Sequence, residues 1–207
     1  MKRLFISIHA ALIEIAIISS FLVKVSIAIT TKAALGKKLL SEKLLSKDST
    51  ISGASCHKPT VAFADTYAFI IGIGGKLTKR NTPSVLSIKN RPYFFCDGMA
   101  ASLEEQALMP IQNPDEMGLP VEEAVMRLNE SAEYKLLFQR VFKQKPDAKN
   151  LAAAFAAFEE TLETVDSKFD DWSNNMGKLT APEERGRQLF VGDKAKCFDC
   201  HRMEDFT

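Results

Sequence analysis

The sequence predicts a mainly α fold, on three observations. Four stretches repeat apolar residues at helical spacing: Leu35, Leu39, Leu40 and Leu44; Val121, Ala124, Val125 and Leu128; Tyr134, Leu137, Phe138 and Val141; and Leu151, Phe155, Phe158 and Leu162. No alternating apolar–polar series signals a sheet. Residues 47–100, rich in Gly, Pro, Ser and Asn, hold no sustained period. A loop of that length is uncommon in a compact domain unless it wraps something.

The elements follow in order. Lys2 and Arg3 precede a mostly apolar run over residues 4–23, and Ser26-Ile27-Ala28 offers the small residues that a signal peptidase reads. Glu14 interrupts the run, which falls short of the roughly 20 apolar residues of a membrane span. A cleaved export signal, an uncleaved anchor and a soluble helix are all compatible with it, and residues 1–30 are set apart as signal peptide or anchor. A helix is expected over residues 32–46. Ser102 precedes a short one over 103–109, and Pro120 starts the next. Ser131 and Asp147 can cap the third and fourth. Residues 170–179 read as a polar connector. Thr180-Ala181-Pro182-Glu183 is then a capping box with proline in the first turn, opening a helix to about Phe190.

With 207 residues the chain suits one domain or one and a half. Its apolar content of 46% and charged content of 26% are those of a soluble globular protein, and a net charge of +1 gives no reason to expect nucleic acid or an anionic membrane as partner. The cysteines are 56, 96, 197 and 200, a usage that points to cofactor attachment more than to a disulfide framework.

Cys197-x-x-Cys200-His201 is the strongest motif. Two thiols can add to the two vinyl groups of a haem, and the next residue sets an imidazole under the iron. The competing readings are a zinc half-site, which needs two further ligands, and a redox C-x-x-C, which belongs on a βαβ pattern that is absent here. Cys56-His57 ends a similar motif in which Gly53 stands at the first cysteine. A lone Cys-His pair is ordinarily structural. An internal echo favours haem: "LGKKLLSEKLLSKDSTISGASCH" and "RGRQLFVGDKAKCFDCH" each run from a glycine-bearing helix through a loop to Cys-His. One thiol suffices for one thioether, and the axial bond needs only His57. The second copy stops six residues after its histidine, too soon to build a pocket from later residues of its own. The expected architecture is a cytochrome c-like haem domain with long irregular haem-wrapping loops, followed by the start of a second one.

The stretches "LGKKLLSEKLLS", "SGASCHKP", "AFADT", "KRNTPSVLSI", "FFCDGMAASLEEQALMPIQNPDEMG", "LAAAFAAFEETL", "FDDW" and "ERGRQLFVGDKAKCFDCH" resemble the N-terminal two-thirds of the bacterial dihaem cytochrome c peroxidases, the family that includes the MauG-type enzymes. The resemblance covers about residues 33–205. It implies a peroxidatic haem domain over 31–165, with His57 as proximal ligand and haem c held by a single thioether at Cys56. It implies the start of a truncated second cytochrome c domain over 166–207, whose electron-transfer haem is held by Cys197, Cys200 and His201. By the same match Asn81 is a calcium ligand, and Gln106 and Glu116 are distal-pocket residues with Glu116 as the acid/base. From the residues alone, Glu116 reads as a solvated carboxylate in a turn.

The implied function is a periplasmic, exported c-type haem peroxidase that reduces hydrogen peroxide to water. Its electrons would come from a small cytochrome c or cupredoxin, and a homodimer is compatible with the match. The alternative is a haem-binding electron carrier or an inactive remnant of such a peroxidase. Several departures bear on that choice. Gly53 replaces a cysteine, Cys96 stands where the family has a tryptophan between the haems, and Met99 replaces an arginine. Residues 63–80 hold no histidine to block the first iron.

Overall fold

A computed structural model describes residues 29–201. The expectation for the N-terminal apolar run lies outside the described residues. Among the described residues eight α-helices form: α1 (Lys32–Leu40), α2 (Gly53–Cys56), α3 (Leu103–Gln112), α4 (Val121–Glu130), α5 (Ala132–Phe142), α6 (Ala148–Glu159), α7 (Lys168–Ser173) and α8 (Ala181–Val191). Among the described residues no sheet forms. Three isolated antiparallel bridges, Lys58–Ala64, Ile71–Leu77 and Phe94–Ala100, pin turns of the irregular region instead. The fold is mainly α, and no described helix is long and apolar enough to cross a membrane.

The caps lie where side-chain oxygens can satisfy the first free N–H groups. Ser102 accepts from Glu105 N at 3.1 Å, and Asp147 from Asn150 N at 2.7 Å. The helix expected over 32–46 is in fact two pieces. α1 stops at Leu40, and Lys43–Leu45 is a separate 3-10 turn. Glu42 makes the break, because its carboxylate accepts both Leu44 N at 2.9 Å and the Tyr134 hydroxyl at 2.6 Å. The helix expected to end at 109 runs on through Pro110 to Gln112. The connector expected over 170–179 overlaps α7. That short helix has no apolar stripe to announce it. It rests on a reciprocal cap, with Ser167 and Asp170 bonding each other's backbone N–H at 2.8 and 3.2 Å, and on Arg187 of α8 lying 4.9 Å over the Trp172 ring.

The main core joins α1, α4, α5 and α6 through Leu35, Leu39, Leu128, Leu137, Phe138 and Leu151, all fully buried. A smaller cluster of Val85, Ile88, Phe94, Ala100, Leu103 and Ala156 ties the irregular region to α3 and α6. Arg127 of α4 clamps the start of that region, donating to the carbonyls of Leu44, Ser46 and Lys47 at 3.2, 2.8 and 3.1 Å.

α1 crosses α6 at Gly36. A Cβ there would lie 1.9 Å from Ala154 O and 2.8 Å from Phe158 Cβ. The obstacle is backbone, which cannot rotate aside as a side chain can. Gly36→Ala gains about 1 kcal/mol of helix propensity, but overpacking a crossing costs about 1–3 kcal/mol, and the contact here is shorter than atoms tolerate. The variant is expected to unfold at lower urea concentration than the parent; an equal or higher midpoint would show that the crossing can open without cost.

Candidate functional site

The first Cys-His motif is a single helical turn. Ser52 and Ser55 cap it reciprocally, and His57 N donates to Gly53 O at 2.8 Å. The second motif closes in the same way, with His201 N donating to Cys197 O at 2.8 Å. Gly53 therefore matches the first cysteine in backbone role as well as in sequence. A Cβ on Gly53 would meet Leu40 Cδ1 at 2.7 Å and Leu40 O at 3.3 Å. A second thiol at this position requires the Leu40 side chain to turn aside.

The loop after His57 presents a carbonyl to its ring. Ala62 and Phe63 both have left-handed φ, of 52° and 53°, a conformation that costs an L-residue about 1–2 kcal/mol. The loop is held there by the Lys58–Ala64 bridge, by the Lys58–Asp65 ion pair at 2.7 Å and by the Phe63 ring edge-on to Phe158. In return Phe63 O sits 3.0 Å from His57 Nδ1. Burial lowers the His57 pKa, against the raising effect of the Phe63 and Pro83 carbonyls. The ring is thus a neutral imidazole whose Nδ1–H is bonded to backbone, the form in which Nε2 serves as a metal ligand.

His57 lines a cleft that includes roughly 430 Å³ of empty space, counting its open mouth. Leu39 and Leu40 come to it from α1, Gln106 and Pro110 from α3, and Phe155 and Glu159 from α6. Gln106 and Pro110 are one turn apart and so share a face. Glu116 sits in the turn after α3, where Asn113 Nδ2 donates to its Oε1 at 2.8 Å. The irregular region holds that turn by its backbone: Ile73 N donates to Glu116 O at 2.7 Å. Gly72 permits the approach, since a Cβ there would fall 1.9 Å from Asp115 O. Burial raises the Glu116 pKa, opposed by the Asn113 bond and aided by Asp115. Glu116 is also near enough to Cys56 for its charge to help raise that thiol. Burial is the larger cause, and together they push Cys56 up to about 11. The expected residues Cys56, His57, Gln106 and Glu116 are thus gathered around one region.

The other expected residues stand apart. Asn81 is exposed, and no group of three or more His, Cys, Asp or Glu side chains that could hold a metal lies among the described residues. Cys96 and Met99 are exposed. Cys197 is partly buried, Cys200 and His201 are exposed, and the His201 ring lies 6.4 Å from that of Phe190.

Glu159 is the cleft residue that the sequence reading missed. It is 8% exposed, its Oε2 is buried without a hydrogen-bond partner, and burial pushes its carboxyl up to about 7. The signal was its spacing, four residues after Phe155 on the apolar stripe of α6. The first site fits a haem by its chemistry: an imidazole set by a backbone carbonyl, a neighbouring thiol, apolar walls and an unpaired buried acid facing no other charge.

The di-haem cytochrome c peroxidase family model matches residues 30–178. The chain is 38% identical over 179 residues to the methylamine utilization protein MauG of Methylorubrum extorquens, covering 85% of this chain and 50% of that protein. It is 38% identical over 172 residues to the cytochrome c peroxidase Ccp of Escherichia coli K12, covering 82% of this chain and 37% of that protein. Among solved structures it is similar to a MauG-like protein associated with microbial copper homeostasis, with a TM-score of 0.74, 32% identity, and coverage of 82% of this chain and 51% of that one. It is also similar to the diheme peroxidase BthA of Burkholderia thailandensis, with a TM-score of 0.73, 28% identity, and coverage of 85% and 52%. The chain spans about half the length, or less, of these relatives.

The Cys56 environment has a direct chemical consequence. A rise from 9.0 to about 11 leaves about a hundredfold less thiolate, the form that alkylates. Because a thiolate of higher pKa is also more nucleophilic, part of that loss is offset, and in haem-free protein near pH 8 iodoacetamide is expected to label Cys56 at least about 10-fold more slowly than the exposed Cys96, read by peptide mass against time. Equal rates would mean that the thiol is not buried beside Glu116.

Proposed function

The chain belongs to the di-haem cytochrome c peroxidase family, and from that premise we propose that it acts in the reduction of hydrogen peroxide to water, outside the cytoplasm, with electrons from a small cytochrome c or cupredoxin. Residues 31–165 form the peroxidatic domain and 166–207 the start of the electron-transfer domain. Haem c is held in the first by His57 and one thioether at Cys56, and in the second by Cys197, Cys200 and His201. The observation that carries this reading is the cleft shared by His57 and Gln106, with Glu116 within electrostatic reach of Cys56. Asn81 would offer one oxygen to a calcium whose other ligands lie elsewhere.

When bound, haem supplies the iron that takes up peroxide and passes on electrons. The rest falls to the chain. His57, oriented by Phe63 O, would hold the iron through Nε2. Gln106, which lines the same cleft, would offer its amide to a peroxide oxygen. Overall, peroxide takes two electrons and two protons to give two waters. Glu116 would serve as the acid/base, accepting a proton from peroxide and returning it to the oxygen that leaves as water. The Asn113 bond favours the ionised carboxylate that this requires, while burial makes it a stronger base than an ordinary glutamate. As a base, Glu116 loses its role when protonated. The reaction should therefore fall off on the acid side, at a pH above the ordinary glutamate range.

A second reading is an electron carrier or inactive remnant. It is favoured by Cys96 and Met99 standing where the family resemblance has a tryptophan and an arginine. The two readings part at the reaction with peroxide. Glu116→Gln is expected to slow it about 10²–10⁴-fold in stopped flow, with haem content and His57 ligation unchanged. A haem spectrum that does not respond to peroxide, or responds as fast in the variant, leaves the carrier or remnant. Tethering is tested separately. Haem at the first site should resist acid-acetone extraction and give a red-shifted reduced pyridine spectrum, since one vinyl stays conjugated, and Cys56→Ala should release it. Unchanged haem content in Cys56→Ala would remove the first site from the account.

A further inference from the structure

The first cleft is lined by a carboxyl that has no task in peroxide reduction. Glu159 closes α6, one turn beyond Phe155, and both line the cleft with His57. Its Oε2 is buried and unbonded. A buried, unpaired acid is costly to keep, and no nearby charge repays that cost, for burial is the only cause that shifts its titration. We propose that Glu159 takes up one proton when the first haem is reduced and releases it on reoxidation, so that the potential of this haem depends on pH. The inference rests on the proposed haem in the cleft.

The step balances in charge and atoms. One electron from an electrode or a small redox protein converts iron(III) to iron(II), and one proton from solvent converts the Glu159 carboxylate to the acid. The cleft's net charge is unchanged. In surroundings of low dielectric, changing the iron charge alone is expensive, and an unpaired carboxyl is the group whose ionisation responds to it. Glu159 titrates at about 7, so it can change state within the ordinary working range.

The other groups that could respond are few. His57 is bonded at Nδ1 to Phe63 O and would be held at Nε2 by iron, so it has no proton to exchange freely. α1 presents Leu39 and Leu40 to the cleft, and α3 presents Gln106 with apolar neighbours. Beyond Cys56 lie Lys58 and Asp65, paired with each other at 2.7 Å, and Glu116. Glu116 differs from Glu159 in having Asn113 to stabilise its charge.

The test is a spectroelectrochemical titration of the holoprotein from about pH 5 to 9. The first-haem potential is expected to fall as pH rises through about 7, by up to about 59 mV per pH unit, the one-electron equivalent of a tenfold change in proton concentration. Glu159→Gln, which keeps size and neutrality, should lose that slope with haem content unchanged, and Glu116→Gln should retain it. The comparison also subtracts the haem's own propionates. A flat wild-type profile, or a slope that survives in Glu159→Gln, overturns the proposal. A second measurement needs no variant: the reduced-minus-oxidised infrared spectrum should gain a protonated-carboxyl C=O band, and its absence also overturns the proposal. Failure of the underlying reading looks different. The wild type would then show only one haem, or none, by pyridine haemochrome count, and this inference would fall with it.

Discussion

The contact between α1 and α6 at Gly36 is the constraint on which the candidate site depends. Because a backbone carbonyl occupies the place of a Cβ, the two helices meet at their closest approach. Leu39 and Leu40, one turn further along α1, and Phe155 and Glu159, next to the contact residues of α6, then fall around one cleft. A wider crossing would admit a side chain between the helices and draw these residues apart. The same helix pair carries half of the buried leucines of the main core. Stability and site geometry therefore share one contact.

The echo between the two halves sharpens this. Both motifs close with a histidine N–H on the carbonyl four residues back, at 2.8 Å, and both follow a helix that carries a glycine. At Gly36 that glycine is filled by α6. At Gly186 in α8 no described atom lies within 4 Å of where a Cβ would be. The local turn of a haem-attachment motif is thus written in a few adjacent residues, whereas the crossing that turns it into a pocket needs a second helix distant in sequence.

That distinction also explains what could be read from the sequence. The helices of the main core were legible, because their stripes and caps are local patterns: Ser102, Ser131 and Asp147 cap where expected. α7 was not, because a reciprocal serine–aspartate cap and a tryptophan under an arginine carry it without a stripe. The break at Glu42 depends on Tyr134, 92 residues away. Residues 47–100 were legible as a loop, but its path was not. The path depends on left-handed backbone at Ala62 and Phe63 and on main-chain bonds from Ile73 to Glu116 and from Ser87 to Leu162. Cys56 and His57 were found through the motif and its echo at Cys200-His201, Gln106 and Glu116 only through resemblance. Glu159 was passed over because a glutamate at a helix end ordinarily faces water.

Burial drives His57 and Glu159 in the first cleft, and Cys56 and Glu116 beside it, toward their neutral forms. It lowers His57 and raises Cys56, Glu116 and Glu159. The sign of the stability effect follows for Glu159. Its folded-state pKa lies above the unfolded 4.5, so its contribution is fully present below that value and is lost as pH rises through about 7. The haem-free fold carries this penalty at neutral pH. A cofactor that brings positive charge to the cleft relieves it, because the ionised carboxylate then has a counter-charge. The two acids divide on this point. Glu116 has an Asn113 amide to steady its charge whatever occupies the cleft, which suits a group that must exchange a proton with substrate. Glu159 has only the cleft itself, so its ionisation follows the charge of whatever the cleft holds.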